Sequence, residues 1–323
     1  MDLKNGSVVT EFILQGFSAG WGLQIVFFVT FFLIYGATVL GNALIMVTVT
    51  CSPTLHSPMY FLLGNLSFLD MCLSTVTTPK MIRDLLTEHK TISVWGCMAQ
   101  MFFMHLFGGA EMTLLVAMAF DRYVAVCKPL HYRKIMNHRL LNGFVVLSWT
   151  IGFTHTMSQM VLTIHLPFCG PHIIDSIFCD LPLVIKLACV ETHALELCVT
   201  ADSRLLSLTC FLLLLVSYTV ILATVQRRSS GGLSKALSTL SAHITVVSLF
   251  FGPCNFIYAW PFSSFPVDKV LSVFSTVFTP ILNPIIYTLR NKEVKLAMHK
   301  LKTRYVCSRL PSQLSHLRLD VLS

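Results

Sequence analysis

Seven stretches of this chain stay apolar over roughly the 20 residues that a helix needs to cross the hydrocarbon of a bilayer. They run from Ile25 to Val49, Pro58 to Pro79, Met98 to Phe120, Leu140 to Leu162, Leu197 to Val225, Leu237 to Trp260 and Val270 to Leu289. Each predicts a transmembrane helix, and together they predict an all-α membrane protein: a seven-transmembrane helix bundle with a short amphipathic C-terminal helix. Only 12% of the 323 residues are charged and 54% are hydrophobic, against about 25% charged in a soluble protein. A length prior of about 150 residues per domain does not hold in lipid. The chain therefore reads as one membrane domain, 25-289, between an extracellular N-terminus, 1-24, and a cytoplasmic tail, 290-323.

An odd number of crossings puts the termini on opposite sides, and Lys and Arg say which is which. One face collects Arg122, Lys128, Arg133, Lys134 and Arg139 between the third and fourth spans, and Arg227, Arg228 and Lys235 between the fifth and sixth. The tail adds Arg290, Lys292, Lys295, Lys300, Lys302, Arg304, Arg309 and Arg318. Lys4, Lys80, Arg83, Lys90, Lys186 and Lys269 fall on the other face. The positive-inside rule places the basic face in the cytosol and the N-terminus outside. The basic excess is thus topological and gives no reason to invoke nucleic acid. No cleavable leader is visible in Met1 to Gln24, which contains Asp2 and Glu11. Asn5-Gly6-Ser7 is a glycosylation acceptor on the outer side, whereas Asn65-Leu66-Ser67 lies within a span and is to be ignored.

Location also sorts the eleven cysteines. Cys97 opens the third span on the outer side, and Cys169, Cys179 and Cys189 lie in the long outer connection, where oxidation is permitted. Four such cysteines allow three pairings. Cys51, Cys72, Cys127, Cys198, Cys210 and Cys254 read as small apolar residues in or near spans, and Cys307 in the tail is a candidate for palmitoylation. Carboxyls in hydrocarbon face the bundle interior or a water-filled cavity. Asp70 and Glu111 lie mid-span and are expected to look inward, as are Asn42 and Asn283 at comparable depth. Pro280 and Pro284 weaken the seventh helix, freeing carbonyls that neighbours or water must satisfy.

Where the third apolar run meets a basic stretch, the chain reads Met118-Ala-Phe-Asp121-Arg122-Tyr123-Val-Ala-Val-Cys127-Lys-Pro-Leu-His-Tyr132. An acid next to an arginine at the end of a hydrophobic helix is costly to hold near a bilayer. Asp121-Arg122-Tyr123 resembles the signature of rhodopsin-like G-protein-coupled receptors, and the fifteen residues Met118 to Tyr132 resemble the olfactory (odorant) receptor family in particular. Leu55-His-Ser-Pro-Met-Tyr60, Phe250-Phe251-Gly252-Pro253, Pro280-Ile-Leu-Asn283-Pro-Ile-Ile-Tyr287 and Thr288-Leu-Arg-Asn291 extend the resemblance from about Glu11 to Leu301. The stretch Lys235 to His243 resembles the family's entry to the sixth helix but has Leu240 where cysteine is usual, and it also departs at Ala242. Phe251 stands where a tyrosine is common.

The resemblance implies Cys97 paired with Cys179 and Cys169 with Cys189. It joins Asn42, Asp70, Glu111 and Asn283 into one interior network with a sodium ion between Asp70 and Glu111; equally, one carboxyl can stay protonated and donate to the other. It also makes Asp121, Arg122, Tyr123, Tyr218, Asn283 and Tyr287 the coupling and switch residues, with Arg122 paired to Asp121 at rest and Tyr218 facing the seventh span. Its implied partners are a small volatile organic ligand, membrane lipid and a heterotrimeric G protein of the stimulatory olfactory type, raising cyclic AMP.

No catalytic constellation, zinc pattern, phosphate loop or dinucleotide fingerprint is present, so the chain is not read as an enzyme and no cofactor beyond sodium is expected. What remains is a mostly apolar cavity between the outer halves of the helices. Met104, His105, Gly108 and Gly109 share one side of the third span. The glycines either leave space or permit close packing. Asp202, Ser203 and Leu206 share a face of the fifth, with Arg204 pointing away to snorkel outward. Asp202 either selects an amine or hydroxyl or pairs with a neighbouring loop residue. Phe251, Cys254, Asn255 and Tyr258 recur on the sixth at three- and four-residue spacing. The reading is an odorant receptor. A rhodopsin-like receptor for a metabolite outside the olfactory epithelium is the nearest alternative, and a transporter, which usually shows repeats or paired broken helices, is the rival from another class.

Overall fold

A computed structural model describes residues 9–17, 20–169, 172–228, 232–259, 266–290 and 293–301; Asn5 and Cys307 lie outside the described residues. Every expected span is helical, and most run past their apolar limits. These are α1 (Trp21–Cys51), α2 (Pro58–Leu85), α3 (Val94–Cys127), α4 (His138–Thr163), α5 (His193–Arg228) and α6 (Gly232–Ala259). The seventh, α7, is built of Pro266–Val273, a π-helical turn Phe274–Phe278, and Thr279–Arg290. The overrun is physical: the 36 residues of α5 reach about 54 Å at ~1.5 Å per residue, against about 30 Å of hydrocarbon.

Local chemistry sets the helix starts. Ser93 caps α3 by accepting from the Gly96 amide at 3.1 Å, and Asn137 caps α4 by accepting from the Leu140 amide at 3.0 Å. Pro58 stands at the first position of α2, where its missing N–H is no loss.

Among the described residues α1, α2, α3, α5 and the stretch Lys269–Ile286 of α7 are long and apolar enough to cross a membrane unaided. The sixth span supplies a shorter apolar stretch, His243–Phe256. Polar residues interrupt α4, but Thr150, Thr154 and Thr156 each donate to the carbonyl one turn earlier at 2.8 Å, which satisfies their hydroxyls away from water. The burial pattern is that of a lipid-facing bundle. Leu33, Leu40 and Leu205 are 63%, 73% and 69% exposed, whereas Asn42, Asp70, Glu111 and Asn283 are at most 2% exposed. Arg204 is exposed, on the outward side of α5.

The third span, α3, is central, packed against α2, α4 and α5, while α1 rests on α2 and α7, and α5 on α6. Its crossing with α4 is closest at two glycines. A β-carbon on Gly152 would stand 2.6 Å from the Leu106 carbonyl oxygen and 2.9 Å from the Ala110 nitrogen, and one on Gly109 would stand 3.1 Å from Gly152 Cα. Small residues there let the two backbones touch.

At one end of the bundle the chain forms a sheet that helical periodicity does not announce. The order is β2-β1-β3, with β1 (Glu11–Leu14) antiparallel to β2 (Thr91–Ser93) and parallel to β3 (Ile173–Ile174). Its register pairs Phe12 with Ile92 and Ile13 with both Thr91 and Ile173. The alternation in β1 is that of a half-buried strand: Phe12 and Leu14 are buried against Met98, Met101, Ile174, Leu181 and Val184, and Glu11 and Ile13 are exposed. Two disulfides hold the same end, Cys97–Cys179 and Cys169–Cys189, each with Cα atoms 5.5 Å apart. Gln100 accepts from the Cys179 amide at 2.9 Å, and Lys269 at the start of α7 pairs with Asp175. Cys51, Cys72, Cys127, Cys198, Cys210 and Cys254 take no part in either disulfide.

Proline shapes α7. Pro284 has no N–H for the carbonyl four residues back, that of Pro280, and Asn42 Nδ2 on α1 donates to that oxygen at 3.0 Å. The π-helical turn ends at Phe278, two residues before Pro280, where the ladder also lacks a donor. At the far end, residues 293–301 form a helix, α8, whose Val294 and Ala297 are buried. Glu293 accepts from Tyr60 Oη of α2 at 2.6 Å.

Candidate functional site

A cavity of about 120 Å³ opens below the sheet at the disulfide end of the bundle. The wall from α3 holds Met104, His105, Gly108 and Gly109; α5 adds Ser203 and Leu206, and α6 adds Cys254. The two glycines act differently. Nothing lies within 4 Å of where a β-carbon on Gly108 would be, so it leaves room, while Gly109 is spent on the α4 crossing.

Other expected lining residues stand elsewhere. Phe251 is fully buried behind the wall, its ring 5.3 Å from Phe250 and 6.1 Å from Phe211. Its neighbour Phe250 is the one that lines the cavity. Adjacent residues on a helix point about 100° apart, so a face assigned one position off exchanges lining for core. Asn255 is absent from the wall and accepts from Ser207 Oγ at 2.8 Å, tying α6 to α5. The side chain of Tyr258 lies outside the described residues.

Among the described residues Asp202 neither lines the cavity nor pairs with a loop residue. Its Oδ2 takes donors from α4: Ser158 Oγ at 2.6 Å, Gln159 Nε2 at 2.8 Å and His155 Nδ1 at 3.1 Å. The reason is helix proximity, since an acid on α5 at this depth meets the polar face of α4 before any loop. His155 brings α4 into the wall, its ring 6.0 Å from that of His105. His105 Nδ1 lies 2.8 Å from the Met101 carbonyl.

The sequence reasoning missed His155, the α7 hydroxyls Ser272, Ser275 and Thr276, and the loop residues Phe178 and Pro182. Two of these signals were present. A histidine inside a span is a functional candidate by default, and Ser272, Ser275 and Thr276 recur at three- and four-residue spacing on one helical face. The outer-loop residue Asp180 also lines the cavity.

Midway along the bundle, Asn283 Nδ2 donates to both oxygens of Asp70, at 3.0 and 2.9 Å. The carboxyl of Glu111 lies beside that of Asp70, close enough for the two to share a proton, and among the described residues no other group donates to its buried oxygens or to Asn283 Oδ1. Asn42 joins this group through α7, by its bond to the Pro280 carbonyl. An acceptor-rich, all-oxygen set of this kind suits a hard cation or a shared proton. Among the described residues no group of three His, Cys, Asp or Glu side chains could hold a metal ion, so a cation here would draw on the amide oxygen as well as the two carboxyls.

At the opposite end, Asp121 and Arg122 do not form the expected pair. Asp121 Oδ1 accepts from Tyr132 Oη at 2.8 Å, and the Arg122 guanidinium contacts Met59 Sδ of α2. Successive residues on a helix do not face each other, so each takes a partner on its own side. Burial, and then the Asp121 carboxylate, raise the pKa of the Tyr132 hydroxyl and keep it a donor. Tyr218 Oη meets His243 Nδ1 at 2.8 Å, both residues buried, linking α5 to α6. Tyr123 packs beside Phe120, ring centroids 6.2 Å apart. The side chain of Tyr287 lies outside the described residues. Leu240 is fully buried, so the position where cysteine was expected holds core.

A family model described as "Olfactory receptor" matches residues 31–304. The chain is 74% identical to olfactory receptor 4L1 of Homo sapiens over 95% of its length and 99% of that protein. It is 62% identical to olfactory receptor 4K3 of Homo sapiens, covering 96% of the chain and 98% of that protein. To olfactory receptor 4K15 of Homo sapiens it is 61% identical, covering 100% and 98% respectively.

Proposed function

Because the chain belongs to the olfactory receptor family, and so is a multi-pass membrane receptor and not an enzyme, we propose that it detects a small, mostly apolar volatile molecule in the cavity at its disulfide end. The observation that carries this reading is the cavity itself. Its volume of about 120 Å³ is on the scale of the ~150 Å³ apolar cavity that admits one benzene ring, and apolar residues and glycines make up most of its wall. A ligand of that size is small enough to be volatile.

The disulfide end faces outward and the Arg122 end faces the cytosol, in keeping with the Lys and Arg distribution and with oxidation outside the cell. Binding shifts the population toward an arrangement in which α6 swings away from α5 at the cytosolic end, by as much as the ligand prefers that state. The Tyr218–His243 bond is the contact that this movement breaks. The opened cleft beside Arg122 admits a heterotrimeric G protein of the stimulatory olfactory type, raising cyclic AMP. Sodium between Asp70 and Glu111 favours the resting arrangement, in keeping with the buried oxygens of Glu111, to which among the described residues only Asp70 could donate.

A panel of volatiles applied to cells carrying the receptor and a cyclic AMP reporter tests this reading. Dose-dependent responses to some single-ring volatiles, absent from cells without the receptor, are expected. Ligand-evoked ion or solute flux that needs no G protein would overturn it.

A further inference from the structure

Two imidazoles meet across the cavity wall, and the structure settles which of their nitrogens carries hydrogen. His105 Nδ1 lies 2.8 Å from the Met101 carbonyl oxygen, and His155 Nδ1 lies 3.1 Å from Asp202 Oδ2. A carbonyl and a carboxylate oxygen only accept, so both Nδ1 atoms must be donors. A neutral ring with its hydrogen on Nδ1 has a bare lone pair on Nε2. Among the described residues neither Nε2 has a hydrogen-bond partner, and both rings line the cavity. The facing wall repeats the pattern: Ser275 gives its hydroxyl hydrogen to the Leu271 or Ser272 carbonyl and Thr276 gives its own to Ser272, so both present lone pairs. Ser203 differs, because it accepts from Gln159 Nε2 at 3.3 Å and keeps its own hydrogen to donate.

We propose that this cavity selects ligands bearing a neutral hydrogen-bond donor, an alcohol or phenol, whose O–H donates to Nε2 of His105 or His155 while its oxygen accepts from Ser203. The inference rests on the reading of the cavity as the odorant site and names the ligand class. A ketone or ether of the same shape leaves both imidazole acceptors dry and unpaired, the costly side of an unmade hydrogen bond. Asp202 Oδ2 is already taken by three donors and the residue stands outside the wall, so it is not itself a ligand contact. Asp202 is therefore a positioning residue. By holding hydrogen on His155 Nδ1 it keeps Nε2 an acceptor.

The test uses full-length purified receptor and ligand-induced thermal stabilisation, which needs no G protein. Matched triads serve as probes: cyclohexanol, methoxycyclohexane and cyclohexanone, then benzyl alcohol, benzyl methyl ether and benzaldehyde. Alcohols are expected to stabilise the receptor at about tenfold lower concentration than their partners, the size of one hydrogen bond. In Asp202→Asn the amide can donate to His155 Nδ1 and move the ring hydrogen to Nε2, so the preference shifts toward the ketones. A purely structural role for Asp202 would weaken every ligand equally. Should that variant fail to fold, His105→Phe removes one acceptor without touching Asp202 and must lower the alcohol-to-ether ratio. Equal or reversed ranking in the parent receptor, or no stabilisation by any alcohol, overturns the inference. A cyclic AMP response to other volatiles in that case leaves the receptor reading standing.

Discussion

Tyr132, not Arg122, is the direct partner of Asp121, and this changes what single substitutions should do. Arg122 touches α2 through Met59 and is far from the cavity, so Arg122→Ala is expected to abolish cyclic AMP signalling while ligand binding persists. Full responses at equal surface level would refute its assignment. Tyr132→Phe removes the hydroxyl that Asp121 accepts from, a bond to a charged group worth about 1.5–3 kcal/mol. If that bond holds the resting state, Tyr132→Phe and Asp121→Asn should each raise ligand-independent cyclic AMP several-fold, and the double variant should do no more than either. Additive effects would show that the two residues act apart. Asp121 and Arg122 stood out in the sequence because charge beside hydrocarbon is costly. Their partners did not, because adjacent residues on a helix point about 100° apart and each met a side chain from outside α3 that the sequence does not place there.

At the scale of elements, α3 and α4 meet through Gly109 and Gly152 with no spare room. Gly152→Ala should push the helices apart at a cost of about 1–3 kcal/mol, typical of overpacking, and be read as a sharp fall in surface receptor. Gly108→Ala, one helical position from the crossing, meets nothing within 4 Å and should reach the surface normally while altering the response profile. Equal trafficking of both variants would sink the distinction. The helices themselves were visible as apolar runs, with ends displaced because capping and amphipathic turns continue them into water, as Ser93 does for α3. The strand β1 was not visible. Four residues carry too little periodicity to read, and the β3 partner of Ile13 is Ile173, far along the chain.

Taken whole, the bundle is fastened twice. One fastening is the disulfide end. Cys97→Ser should leave the protein inside the cell, since losing a native disulfide costs about 2–5 kcal/mol, whereas Cys210→Ser, at a free thiol, should matter far less; normal surface display of Cys97→Ser would count against this. The other fastening is the polar core, where Asn42, Asp70, Glu111 and Asn283 tie α1, α2 and α3 to a broken α7. Replacing external sodium by N-methylglucamine should shift basal activity in the parent receptor but not in Glu111→Gln. An identical shift in both would remove Glu111 from the sodium site. That these residues turn inward was readable from their cost in lipid; which carbonyl Asn42 would serve was not, because that depends on the Pro284 gap opposite it.

The parallel pairing of Ile13 with Ile173 also sets a clock. The first strand gains β2 early, but at roughly 5–20 residues per second its parallel partner emerges only about 8–32 s after it. During that interval the edge of β1 that Ile173 will close is expected to stand open to any neighbouring nascent chain. A receptor of this design spends its infancy unlidded. How many copies reach the surface is then expected to depend on how long that edge stays open as well as on the finished bundle.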